Sequence, residues 1–153
     1  MVSLKKLPIV SDVKVSYHPK MKISEMPVAK NSQEVYQLFL AKWDRGSIHL
    51  VEEFKIMLFT RGGSVKGIYP ISKGGITGTV ADPEIILLTA IVGVAKSIVL
   101  CHNHPSGSLI PSHADLELTE KIKNGSKFFD IKVLDHLIIS SDGFLSFADE
   151  GLL

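Results

Sequence analysis

The residues best equipped for chemistry lie in one short stretch: Cys101-His102-Asn103-His104-Pro105, then Ser112 and Asp115. The apolar run Ile98-Val99-Leu100 predicts a strand leading into the histidines. Alternate strand residues point to the same side, so His102 and His104 converge on one point. Pro105 and Gly107 break the strand. From Ser112 the polar-apolar pattern predicts a helix, which places Asp115 in its first turn with the carboxylate within reach of both imidazoles. Three protein ligands and an open position make a catalytic rather than a structural zinc site. Ser112-x-x-Asp115 is equally a capping box with Asp in place of the usual Glu. The two readings are compatible, because a cap holds the first helical turn in place.

These side chains need elements that bring them together. Asn31-x-x-Glu34 is a helix start, with Val35, Leu38, Phe39 and Trp43 on one face and Gly46 as the stop. Residues 48–60 read as a strand. Arg61-Gly62-Gly63 turns it, and Ser64 to Ile71 returns. Strand alternation separates two adjacent carboxylates: Glu52 shares a face with Phe54, Ile56 and Leu58, whereas Glu53 goes with Lys55 and Met57. A carboxylate on an apolar face is costly unless it is paired or functional. Glu52 is therefore the candidate general base, with Glu53 second. The glycine-rich segment 73–79 lacks phosphate-loop spacing and reads as a loop at the site mouth. Asp82-Pro83 opens a helix, and residues 85–95 are apolar nearly all round, which predicts a buried helix.

The motif strand covers residues 97–103. The next helix runs from Ser112 to about Asn124, with Ala114, Leu118 and Ile122 four apart, and ends at Gly125. Residues 132–139 are a strand, Ser141-Asp142-Gly143 a turn, and residues 144–147 the closing strand. Alternation lets only one of Asp135 and His136 face the site, where it would orient a ligand; the other would make a structural hydrogen bond. His18, His49 and His113 have no partner pattern and read as surface residues. Residues 1–30 read as an extended arm, with a half-buried strand over Asp12-Val13-Lys14-Val15-Ser16-Tyr17.

A 153-residue chain of 45% hydrophobic and 22% charged residues has the composition of a globular domain with a real core. Its formal net charge of +1 is no electrostatic footprint for nucleic acid, and strong nucleic-acid binding is not expected. One cysteine rules out an internal disulfide, and with no cleavable apolar leader it points to the cytoplasm. The longest apolar run is too short to span a bilayer, so no membrane partner is expected. The expected role of Cys101 is a buried structural thiol, because it faces away from His102.

The string His102-x-His104-Pro105 with Ser112-x-x-Asp115 resembles the JAMM motif of the JAB/MPN metalloproteases. Two longer strings, His102-Asn103-His104-Pro105-Ser106-Gly107 and Val133-Leu134-Asp135-His136-Leu137-Ile138-Ile139, are similar to the RadC branch of that superfamily. The resemblance covers roughly residues 31–151, so the chain divides into an arm over 1–30 and a domain over 31–153. It implies an α/β (α+β type) cytidine-deaminase-like fold: a mixed sheet with flanking helices. It also implies one zinc ion per chain on His102, His104 and Asp115, with Glu52 as general base, since the RadC acid lies two residues before the phenylalanine. The substrate class it implies is peptide or isopeptide bonds. Ser112 would donate to the developing oxyanion; removing one such donor typically costs about 3 kcal/mol in barrier height.

RadC proteins carry a helix-hairpin-helix-like region before this domain, for which this chain shows no pattern. Where RadC relatives have Pro-Arg-Glu at a helix start, this chain has Pro83-Glu84-Ile85, so a role for that arginine does not carry over. The adjacent letters His102-Asn103-His104 are not evidence for the HNH nucleases, whose name-giving residues lie far apart in sequence. Three functions stay open at this point: a zinc (iso)peptidase, a DNA-repair-associated or metal-dependent nucleic-acid-processing protein, and a non-catalytic MPN interaction module.

Overall fold

A computed structural model describes residues 10–75 and 80–153. Its centre is a five-stranded mixed sheet in the order β2-β1-β3-β4-β5. The strands are β1 (Glu53–Phe59), β2 (Val65–Lys73), β3 (Ser97–Asn103), β4 (Lys132–Ile139) and β5 (Phe144–Ser146). Only β3 and β4 run parallel; the pairs β1–β2, β1–β3 and β4–β5 are antiparallel. Helix α1 (Ser32–Ala41) covers one face, and α2 (Pro83–Val92) and α3 (His113–Lys127) cover the other. This is the α+β mixed sheet expected from the sequence.

Covering both faces buries every residue of β1 from Glu53 to Phe59, the charged Glu53 and Lys55 included. Phe39, Trp43, Met57, Phe59, Val99, Cys101, Leu137 and Ile139 fill the α1 side. Phe54, Ile56, Leu58, Ile98 and Leu100 meet Ile86, Ala90 and Ile122 on the other. Residues opposite one another across β1 and β3 share a face, and the register pairs Phe54 with His102. His102 therefore belongs to the α2/α3 side, and its sequence neighbours Cys101 and Asn103 to the α1 side. Burial raises the Cys101 thiol well above its ordinary pKa, with Lys55 opposing the shift. It is a buried thiol, as the strand alternation predicts.

Several boundaries differ from the sequence reading. Residues 12–17 form no strand, and Val13 and Val15 are exposed. The strand expected from Ile48 begins only at Glu53. Residues 44–51 instead form turns closed by Ser47 N–H to the Asp44 carbonyl and Val51 N–H to the Ser47 carbonyl. Gly125 does not stop α3; a Cβ there would lie 3.0 Å from the Leu87 side chain, so glycine lets α2 and α3 approach closely. Helix α2 is only half buried. Ile86 and Ala90 face the core, whereas Ile85, Leu88 and Ile91 are exposed. The glycine-rich segment expected as a loop at the site mouth lies partly outside the described residues, at positions 76–79.

Candidate metal centre

The strand and helix deliver His102, His104 and Asp115 to one point, with one ligand atom from each within 4.8 Å of the others. His102 Nε2 lies 3.0 Å from His104 Nε2 and 3.2 Å from Asp115 Oδ1; His104 Nε2 is 3.6 Å from Asp115 Oδ2. The His102 side chain is fully buried and stacked on Phe54, ring centroids 5.8 Å apart, while His104 and Asp115 retain 17% and 14% exposure. Access to the cluster is therefore from the His104–Asp115 side.

Hydrogen bonds around the cluster fix which nitrogen carries each proton. The Thr119 hydroxyl is 2.6 Å from the Asp115 backbone carbonyl and 2.6 Å from His136 Nδ1. A carbonyl cannot donate, so the single hydroxyl proton lies on that bond. Thr119 Oγ1 must then accept from His136 Nδ1–H. His136 is fully buried, and desolvation holds its pKa well below the ordinary imidazole value, so the ring is neutral. Its Nε2 is consequently an acceptor, and at 2.8 Å it receives His102 Nδ1–H. On the other histidine, Nδ1–H donates to the Ser108 carbonyl at 2.9 Å. Both Nε2 lone pairs thus face each other and a carboxylate. Such convergence of acceptors is repulsive unless a proton or a cation lies between them.

The titration behaviour has the same origin. Where a proton rather than a cation lies between them, burial pushes the Asp115 carboxyl up, but hydrogen bonds from His102 and then His104 outweigh it and hold it well below the usual carboxylate range. The Asp115 hydrogen bond raises His104 against its desolvation. The donor set fits a metal ion: two imidazoles with fixed tautomers and one carboxylate, open on one side.

Asp115 is held by its own helix start. Ser112 N–H and the Ser112 hydroxyl each donate to Asp115 Oδ2 at 2.7 Å, and Asp115 N–H donates to Ser112 Oγ at 3.2 Å. The capping-box reading is therefore realised, and the hydroxyl proton of Ser112 rests on the carboxylate.

Glu52 and Glu53 part company as alternation requires, but the buried one is Glu53. It donates its N–H to Asn103 Oδ1 at 2.8 Å, and its carboxylate holds Ser47, Lys55 and Lys73 on the α1 side of the sheet. Glu52 precedes the strand and is partly exposed. Its carbonyl accepts from Gly74 N–H at 2.8 Å. The β1–β3 ladder ends at Phe54–His102, and Glu52 and His104 each lie beyond it; the negative charge of Glu52 contributes to raising the His104 pKa. The expectation that Glu52 lies on the apolar face of the strand is corrected accordingly: it precedes the strand and is partly exposed.

Asp135 does not belong to the cluster. It lies on the opposite face, where its carboxylate accepts from Ser146 Oγ, Ala148 N–H and His136 N–H. Two residues that matter were missed in the sequence. Asn103 donates to the carbonyls of Ile48 (2.7 Å) and Val51 (2.9 Å), so it clamps the turns that lead into Glu52. Thr119 sits four residues after Asp115, on the buried side of α3 with Ile122. A threonine at a core position of a helix was the signal available for it.

The relay yields a first prediction. Thr119→Val removes the acceptor for His136 Nδ1–H and frees that ring to take either tautomer. Metal affinity should fall 10- to 100-fold, the usual effect of losing a partner of a ligand histidine, with helix content unchanged. Competition against a chromophoric chelator measures it; equal affinity would show that the relay does not set the His102 tautomer.

The sequence profile of the RadC-like JAB domain matches residues 29–152. The chain belongs to the RadC-like JAB domain family. It is 43% identical over 101 residues to a UPF0758 protein of Flavobacterium johnsoniae, covering 66% of this chain and 44% of that one. A UPF0758 protein of Porphyromonas gingivalis is 40% identical over 103 residues, 67% of this chain and 45% of its own length. One from Symbiobacterium thermophilum is 30% identical over 148 residues, 94% of this chain and 62% of its own length. This RadC-like domain thus spans about half the length of the curated relatives it matches. Among its described residues, no helix is long and apolar enough to cross a membrane.

Proposed function

We propose that this RadC-like domain is a zinc-dependent hydrolase of peptide or isopeptide bonds, with one zinc ion on His102, His104 and Asp115. The observation that carries the reading is the convergence of two tautomer-fixed Nε2 lone pairs and a carboxylate, open to solvent on one side. Zinc in such a site supplies Lewis acidity and brings the pKa of water to about 7. Glu52, partly exposed and close enough for its charge to act on His104, accepts a proton from the attacking water and passes it to the leaving amine. Ser112 is exposed beside the ligand carboxylate, and its hydroxyl turns from Asp115 to the developing oxyanion. His136 and Thr119 take no part in bond making; they hold His102 in the tautomer that binds metal.

The two-imidazole donor set separates this reading from a magnesium nuclease, whose ligands are carboxylate-rich. Metal analysis of protein purified without an affinity tag, followed by a screen of peptides, isopeptide-linked substrates and DNA, tests it. Cleavage of DNA alone would reverse the ranking. Seventeen basic residues face sixteen acidic ones. DNA binding at physiological salt is therefore expected to be weak, non-specific and lost as salt rises. Submicromolar, structure-selective binding in an anisotropy titration would place nucleic-acid processing first.

A further inference from the structure

A cavity of about 430 Å³ lies between α1, β2 and the arm, on the α1 face of the sheet, away from the histidine cluster. Its walls are apolar: Leu38 of α1, Val65, Ile68 and Pro70 of β2, and Met21 of the arm. Lys55 of β1, Lys66 of β2 and Lys42 at the rim also line it, and among the described residues no carboxylate does. Lys55 is only 8% exposed, an unusual place for a lysine. Its ammonium reaches Glu53 at 3.3 Å and sits 4.1 Å from the centroid of the Trp43 ring. Its other polar contact, the Lys42 carbonyl, is at 3.4 Å, too long to be a good hydrogen bond.

Glu53 is not Lys55's alone. It also accepts from Lys73 at 3.1 Å and from Ser47 at 2.6 Å, so two ammonium groups share one carboxylate. A buried ammonium that shares its one carboxylate, on an apolar cavity with no acid among the described residues that line it, is complementary to one negative charge on an apolar body.

We propose that this cavity binds an amphipathic carboxylate, its apolar chain against Leu38 and Ile68 and its head group on Lys55. The size suits a small ligand, since such sites typically enclose about 300–1,000 Å³. Lys42, exposed at the rim, adds attraction on the path of entry.

The chain has a single tryptophan, and it lies against Lys55, so Trp43 fluorescence reports the site directly. The probe is decanoate, titrated below its micelle concentration into the full chain, with decanol as the uncharged control. The expected result is a saturable change with decanoate and at least tenfold weaker binding of decanol. Ile68→Phe, which fills the cavity, should weaken decanoate at least tenfold with melting temperature and metal content unchanged. Lys55→Met should abolish the preference for the acid; if that variant fails to fold, Ile68→Phe and the decanol comparison still decide. A linear, unsaturable response, equal binding of decanol, or undiminished binding in Ile68→Phe would each overturn the proposal.

Discussion

Zinc should fall from one ion per chain to none when His102 and His104 are both changed to alanine. Each contributes a lone pair whose direction is already fixed, His102 by His136 and His104 by the Ser108 carbonyl. Losing both leaves one carboxylate, which does not hold zinc against water. The single changes should each remove stoichiometric metal, because a three-ligand site reduced to two loses its chelate geometry. Asp115 needs a more careful variant, since the same carboxylate caps α3 through Ser112. Asp115→Asn keeps an acceptor for the cap and removes the charge, so the helix should persist while zinc is lost. Elemental analysis with circular dichroism separates the two effects. It also identifies the metal, because two histidines and a carboxylate with open positions can hold iron(II). Stoichiometric metal surviving in the double variant would exclude these histidines as the ligands.

What was legible in the sequence followed from periodicity. Alternation along the motif puts His102 and His104 together and sends Cys101 the other way, and the structure has both arrangements although β3 ends at Asn103, one residue before His104. The capping pattern at Ser112 foretells the position of Asp115 because a cap is a local interaction. Alternation also separates Glu52 from Glu53, but it does not say which face is dry. Both faces of β1 are buried, so burial depends on distance from the strand end, and Glu53 is inside the strand while Glu52 is before it. The relay was invisible for a different reason. Thr119 and His136 meet across seventeen residues and two elements, and only the packing of α3 on β4 brings them to 2.6 Å. The exposed stripe of α2 shows the same limit: an all-apolar helix has no moment to indicate which side meets the sheet.

The neighbouring glutamates give the sharpest test of mechanism, because their isosteric variants should fail in opposite ways. Glu52→Gln keeps size and hydrogen-bonding groups but cannot take a proton. Turnover should drop by about 10²- to 10⁴-fold, the usual contribution of a general base, with zinc content and melting temperature near those of the parent. Glu53→Gln touches no ligand, and the zinc site should remain competent. Its cost is structural, because Lys55, with a side chain 10% exposed, loses the charge that balances it. Breaking a buried pair from one side typically costs about 3 kcal/mol or more. Burial raises the Glu53 carboxyl, but hydrogen bonds from Ser47 and Lys73 and the charge of Lys55 outweigh it, and the net shift is downward. A depressed carboxyl stabilises the fold above its ordinary pKa and loses that contribution as pH falls through the lowered value. The stability gap between parent and Glu53→Gln should therefore be full at neutral pH and narrow only in acid. Denaturant melts across pH, with turnover of folded protein on a substrate found in the screen, measure both halves. A folded, zinc-loaded Glu53→Gln that is inactive beside an active Glu52→Gln would assign the base to the wrong face of the strand. Full activity in both would remove glutamate general-base catalysis from the mechanism.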